Sequence, residues 1–387
     1  MKNIQLINQI ATVGTDRLDR TKYRVGADIQ APDAILVRSA SLHDMELNPE
    51  LLAIARCGAG VNNIPIERCS KAGIVVFNTP GANANGVKEL TVCALMLAAR
   101  DIAGGIAFAE SLAGTEGLAK AIEKGKSAFV GHEVAGKTLG VIGLGAIGGM
   151  VATTATHLGM TVEGCDPYLT VEGAWSLSRN VKKAATYEEI FRSSDYITLH
   201  VPATDETKHM INRETLAMMK DGVRIINLAR ADLVDFDALK EALASGKVAR
   251  YVTDFPTEES VGVPGIVNIP HLGASTEESE ENCAVMATAE LDEYLTTGNI
   301  RNSVNFPSVS MPRTDGVRLC LLHANVPAMI SKITSAISAE GINIENLINK
   351  SKGSNAYTVL DLAGDVSDAA LNGLCTIEGM VRVRKIL

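Results

Sequence analysis

Leu139-Gly140-Val141-Ile142-Gly143-Leu144-Gly145-Ala146-Ile147-Gly148 decides how this chain folds. Four apolar residues read as a buried strand. A GxGxxG turn follows, and then a helix-like run with Met150, Val151, Thr154 and Leu158 on one face. A second strand, through Thr161 and Val162, ends at Asp166. Each part of such a unit has a physical task. Gly143 permits the tight turn, Gly145 lets the backbone approach a pyrophosphate, and Gly148 lets helix and strand pack closely. The amides of the turn, with Ala146 and Ile147, open a helix whose positive end favours an anion. A carboxylate at Asp166 accepts hydrogen bonds from ribose hydroxyls and repels a 2′-phosphate. Neither Pro167 nor Tyr168 supplies a cation, so NAD is expected rather than NADP.

Outward from this unit, strand-like runs recur at Tyr196-Ile197-Thr198-Leu199, Arg224-Ile225-Ile226-Asn227, Arg250-Tyr251-Val252 and Gly265-Ile266-Val267. Helical segments lie between most of them, which predicts an α/β fold with a doubly wound parallel sheet. The first ninety or so residues alternate in the same way, with buried strands at Ala34–Val37 and Ile74–Phe77. A long helix is expected from Ser275 to Thr297, opened by Ser275-Thr276-Glu277-Glu278. Asn302 to Gly316 holds two prolines and no periodicity, and reads as a linker. The last seventy residues restart in βαββαβ order, a small separate domain.

The chain has 387 residues, 46% hydrophobic and 21% charged. That suits two or three globular domains. A formal net charge of −9 argues against nucleic acid, which needs a basic face. Seven scattered cysteines form no CxxC and no zinc-spaced cluster, so no metal is expected. The N-terminus lacks the apolar core of a signal peptide, and the strongest apolar stretch, Leu90 to Ala99, is too short for a bilayer. A cytoplasmic protein without membrane contact is expected.

Arg230, Glu258 and His271 lie at or just after strand ends. In an open α/β sheet those ends line the ligand crevice. The trio suits alcohol oxidation: a His takes the hydroxyl proton, a carboxylate steadies the imidazolium, and an Arg grips a substrate carboxylate through two parallel hydrogen bonds.

Asn227-Leu228-Ala229-Arg230 and Pro270-His271-Leu272-Gly273-Ala274-Ser275-Thr276 resemble signatures of the D-isomer-specific 2-hydroxyacid dehydrogenases. So do Arg56-Cys57-Gly58-Ala59-Gly60-Val61 and Asn78-Thr79-Pro80-Gly81. The resemblance implies that Arg230, a Glu and His271 are the catalytic set. It implies that amides of Gly58, Ala59 and Gly60 receive the substrate carboxylate. It also implies cofactor contacts from Pro202, Asp254 and Gly273. Asp254 is displaced by one place from the usual pattern, which leaves the catalytic carboxylate open between Glu258 and Glu259. Two doubly wound domains follow: a discontinuous substrate domain at 1–95 and 285–305, and an NAD-binding domain at 96–284. Residues 306–315 are the expected linker and 316–387 the small domain.

Leu36-Val37-Arg38-Ser39 is similar to the branch of the family that oxidises phosphoglycerate. Arg38, Ser39 and Arg56 would meet a phosphorylated 2-hydroxy acid, which needs cations. His323-Ala324-Asn325-Val326-Pro327 and Gly341-Ile342-Asn343-Ile344 resemble an ACT domain, a module that binds amino acids. His323, Asn325 and Asn343 would hold an effector such as L-serine. The resemblance implies a homodimer or homotetramer, and domain closure over substrate. Two rivals stand beside this reading: a glyoxylate, hydroxypyruvate or D-lactate reductase, and a non-catalytic NAD sensor.

Overall fold

In a computed structural model, which describes residues 1–387, the chain divides into two compact units. One comprises Met1–Asn83 with Glu277–Leu387, the other Ala84–Thr276.

The first unit holds two sheets. Strands β1 (Lys2–Ile7), β2 (Tyr23–Gly26), β3 (Ala34–Val37), β4 (Ala53–Arg56) and β5 (Val75–Phe77) form a parallel sheet in the order β2-β1-β3-β4-β5. All four residues of β3 and all three of β5 are buried, as continuous apolar runs in a sheet covered on both faces should be. The strand order reverses between β1 and β3, where a doubly wound sheet opens its ligand crevice.

The second unit holds β6 (Thr138–Ile142), β7 (Thr161–Cys165), β8 (Val181–Lys183), β9 (Tyr196–Leu199), β10 (Val223–Asn227), β11 (Val248–Thr253) and β12 (Ile266–Asn268). They run parallel in the order β12-β11-β10-β9-β6-β7-β8. That is the dinucleotide-binding order with one added strand, and its reversal lies between β6 and β9. The helix Ala84–Ala99 belongs wholly to this unit, not in part to the first as the boundary near residue 95 implied. Its Ala94, Leu95, Ala98 and Ala99 share a core with Val141, Ile226 and Val252. The chain also returns to the first unit earlier than expected, at Glu277 rather than 285. No single helix is long and apolar enough to cross a membrane.

The last sheet, also in the first unit, is antiparallel: β13 (Val317–Ala324), β14 (Ile344–Lys352), β15 (Asn355–Leu362) and β16 (Met380–Ile386), in the order β14-β15-β13-β16. Helices Met329–Ala339 and Asp368–Cys375 complete the βαββαβ arrangement. This small antiparallel domain, expected from the sequence, also packs closely on the parallel sheet of the first unit. Cys320, Leu322, Tyr357 and Val359 share one buried cluster with Leu36, Phe77, Tyr294 and Phe306. The expected linker is buried as well, through Phe306, Val309 and Met311. Polar side chains of the sheet close on backbone carbonyls. Tyr357 Oη donates to Gly298 O at 2.6 Å, Lys352 Nζ to Ser303 O at 2.9 Å, and Asn355 Nδ2 to Asn305 O at 2.9 Å.

Candidate active site

The glycine turn follows β6, at the reversal point of the seven-stranded sheet. Gly143 has φ of +88°, and a Cβ there would lie 2.6 Å from His200 O. A Cβ on Gly148 would lie 1.9 Å from Gly143 O, so no side chain fits. Gly145 faces open space, with nothing within 4 Å. The turn is therefore closed where it packs and open where an anion must approach. Asp166, at the end of β7, accepts N–H bonds from Leu144 (2.8 Å) and Tyr168 (2.9 Å). Its carboxylate ties the turn to the next strand and lies on the wall of two cavities, of about 710 and 500 Å³. Pro202 is exposed just after β9, its carbonyl accepting from Thr207 Oγ1 at 2.6 Å. Glycines that leave backbone open beside a helix start, with a carboxylate at the neighbouring strand end, fit a dinucleotide.

The catalytic candidates Arg230 and His271, and the cofactor candidate Asp254, follow three neighbouring strands. Arg230 comes after β10, Asp254 after β11 and His271 after β12. Asn227 shapes the first turn: its Oδ1 accepts from Ala229 N (3.1 Å) and Arg230 N (3.3 Å), and its Nδ2 donates to Arg230 O (2.8 Å). Between the Arg and the His lies Phe255. The Arg230 guanidinium sits 5.7 Å from the Phe255 ring centroid, and the His271 ring lies 4.6 Å away. One aromatic ring thus touches both groups. Phe255 was not among the residues singled out from sequence, because an apolar residue beside an acidic loop carries no chemical signature.

Asp254 is buried, 1% exposed, and its Oδ2 accepts from Gly273 N at 3.2 Å. Its Oδ1 is buried with no partner. Burial raises its pKa above the ordinary carboxylate value, opposed by the Gly273 N–H and by the His271 and Arg230 charges. Asp254 therefore braces the loop that carries His271. Glu258 and Glu259 are both exposed. Neither makes a hydrogen bond to His271 in this structure, so the carboxylate brought beneath that loop is Asp254.

In the first unit, Arg38 and Ser39 follow β3 and Arg56 ends β4. Asn8, just after β1, has φ of +72°, and its Oδ1 accepts the Ser39 and Ala40 N–H groups at 3.0 and 2.8 Å. Asn8 was missed from sequence; only its φ reveals it. Arg38 pairs with Glu280, and Arg56 Nε donates to Arg38 O at 3.1 Å. Burial pulls the Arg56 pKa below its ordinary value. The Arg56 guanidinium lies over Gly58, where a Cβ would fall 1.7 Å from Nη1. Of the three amides expected to face substrate, Gly58 N–H donates instead to Arg56 O at 2.9 Å. The amides of Ala59 and Gly60 make no such main-chain bond.

The effector candidates separate. Asn325 and Asn343 are exposed. His323 is 2% exposed, with ring nitrogens 2.8 Å from Ala324 O and from Thr358 Oγ1. The sheet uses both nitrogens, so His323 is turned inward rather than presented to a ligand.

Comparison with known proteins gives the setting. Residues 104–274 match the family model of the D-isomer specific 2-hydroxyacid dehydrogenase, NAD binding domain. The D-3-phosphoglycerate dehydrogenase of Bacillus subtilis (strain 168) is 37% identical over 287 residues, 72% of this chain. This chain spans 52% of that protein, about half its length. The Haemophilus influenzae protein of the same name is 33% identical over 352 residues, covering 88% of this chain and 82% of that one. The crystal structure of cofactor (NAD+) bound 3-phosphoglycerate dehydrogenase in Entamoeba histolytica superposes with a TM-score of 0.59 at 27% identity. It covers 79% of this chain and 98% of its own.

Proposed function

The chain belongs to the D-isomer-specific 2-hydroxyacid dehydrogenase family, and on that premise we propose that it oxidises D-3-phosphoglycerate to 3-phosphohydroxypyruvate with NAD. The observation that carries the oxidation is the group Arg230, Phe255 and His271 on consecutive strand ends. When bound at the glycine turn and Asp166, NAD would supply the hydride acceptor for C2 of the hydroxy acid. His271 takes the hydroxyl proton as a general base. Arg230 holds the C1 carboxylate through parallel N–H bonds. Phe255 fixes the spacing of these two groups, and Asp254 holds Gly273 so that the His271 loop keeps its place. Glu258 is proposed to approach the imidazolium once substrate is bound, since catalytic hydrogen bonds commonly tighten only then.

Arg38 and Arg56, two guanidinium groups on adjacent strand ends, support a phosphorylated substrate. Arg38 would exchange Glu280 for the phosphate. The Ala59 and Gly60 amides suit an anionic oxygen. The experiment follows NADH absorbance with D-3-phosphoglycerate, D-glycerate and D-lactate as substrates at alkaline pH. Turnover with the phosphorylated acid alone is expected. Turnover only with the other two would move the enzyme to a reductase branch.

The amino-acid-sensing role rests on the exposed Asn325 and Asn343 and on the resemblance to an ACT domain. L-Serine is the proposed effector, and unchanged activity across a serine titration would end that reading. A homodimer is proposed through the helix Ile102–Ser111, which buries none of its residues while exposing Ile106. A monomeric mass in sedimentation at working concentration would exclude it.

A further inference from the structure

The glycine turn carries no positive charge. Its side chains are those of Leu144, Ala146 and Ile147. A dinucleotide's diphosphate bears two negative charges, and the turn answers them only with amides and a helix end. The cavity of about 500 Å³ beside the turn contains one cation, and it comes from another element. Lys88 lines this cavity together with Gly145, Ala146 and Asp166. No other Lys or Arg reaches the lining, and Asp166 is its only carboxylate.

Lys88 stands on the helix Ala84–Ala99, which packs beside the helix Ala146–His157 that the turn opens. Its side chain is 19% exposed, so most of its aliphatic stem is packed away from water. Here the nearest carboxylate is Glu89, at 3.6 Å, beyond good hydrogen-bond reach. Glu89 is itself 63% exposed and accepts from Asn85 Nδ2 at 2.9 Å. The ammonium has only this loose pairing with an exposed carboxylate, beside a cavity that Gly145 also lines. Lys88 thus brings a loosely paired cation to a cavity whose other lining groups supply none.

We propose that Lys88 binds the diphosphate of the dinucleotide and supplies the charge that the glycine turn lacks. This rests on the reading of the turn as a cofactor site. It adds a residue from outside the sheet's own turn, one that a search for GxGxxG would never find. The remaining groups keep their parts: Gly145 admits the phosphates, the helix end directs amides at them, and Asp166 takes the ribose.

The single tryptophan offers the readout. Trp175 lies on the helix Val171–Ser176, whose Gly173 and Ser176 line the same cavity. Binding of NADH should quench its emission by energy transfer. Wild type, Lys88→Met and Lys88→Arg would be titrated with NADH, and then with ADP and adenosine as competitors. Met removes the charge and keeps the aliphatic stem. Loss of one charged hydrogen bond should weaken NADH and ADP about tenfold or more. Adenosine, which has no phosphate, should compete equally well in wild type and Lys88→Met, which also shows that the variant is folded. Lys88→Arg should recover most of the ADP affinity. Added salt should weaken ADP more in wild type than in Lys88→Met. Equal ADP affinity in wild type and Lys88→Met would overturn the proposal. A wild type that binds neither NADH nor ADP would overturn the cofactor reading itself, a result distinct from that one.

Discussion

At the scale of single residues, two positions hold energy that a point change can release. Ala328 opens the helix Met329–Ala339 with φ of +63°. A Cβ is disfavoured in that region, by roughly 1 kcal/mol relative to glycine. Ala328→Gly should therefore raise stability by about 1 kcal/mol, read from chemical denaturation. No change, or a loss, would mean that the turn is not strained. Glu290 is the second position. One of its oxygens accepts from Asn302 Nδ2 at 2.6 Å, the other is buried without a partner, and burial pushes its carboxyl up to about 8. A raised folded pKa means that the folded chain holds this proton better than the unfolded chain does. The stabilisation is full below the ordinary value of 4.5 and is lost as pH rises through about 8. Glu290→Gln keeps the shape and removes the titration. It should melt higher than wild type above pH 8, and the advantage should vanish in acid. An equal shift in melting temperature at both pH extremes would exclude the titration as the cause.

At the scale of elements, what was readable in the sequence follows from periodicity. The apolar runs of β3, β6, β9 and β10 announce themselves, and the strand–turn–helix unit at Ile142–Gly148 fixes the parallel sheet around them. Residues that end these strands were therefore placed correctly in outline. The contacts between such ends were not readable, because they depend on which strands become neighbours. Phe255 became visible only when β10, β11 and β12 lay side by side, and Asn8 only through a positive φ. His323 misled for the same reason: a histidine in a ligand-like motif looks alike whether it faces outward or is held by Thr358 on the adjoining strand. The Arg230, Phe255 and His271 group yields a prediction at this scale. Phe255→Ala removes the spacer, so kcat should fall about tenfold to a hundredfold while NADH affinity stays. Phe255→Leu, which restores bulk without the ring, should recover part of the loss. An unchanged kcat in the alanine variant would show that the ring does not position these groups.

At the scale of the whole molecule, the sequence marked the last seventy residues as a small domain but did not show how closely it is attached. A run with two prolines and little periodicity reads as a tether, yet Phe306, Val309 and Met311 are buried. The partners that bury them lie far away in the chain and leave no periodic trace. Arg318 shows how firmly the last sheet is attached. It is fully buried, donating to Asp361 Oδ1 and Oδ2 at 2.7 and 2.9 Å. It also donates to the carbonyls of Thr297, Met311 and Pro312. Arg384 adds a second clamp, its guanidinium 4.2 Å from the Tyr294 ring centroid. Effector binding on such a sheet would act on a body that already shares a core with the parallel sheet of the first unit.

This attachment has a measurable consequence. Removing Arg318 alone strands a buried carboxylate, so Arg318→Met should cost about 3–5 kcal/mol. Removing both charges, as Arg318→Met with Asp361→Leu, should cost much less, because neither is then left unpaired. Deleting residues 316–387 would expose the apolar surface around Tyr294 and Phe306. The shortened chain should bind a hydrophobic dye and lose its sharp melting transition. If it gains no further self-association and melts as cooperatively as the full chain, the shared core contributes little. If the double variant is as unstable as Arg318→Met, the carbonyl contacts of Arg318, rather than its pairing with Asp361, hold the sheet in place.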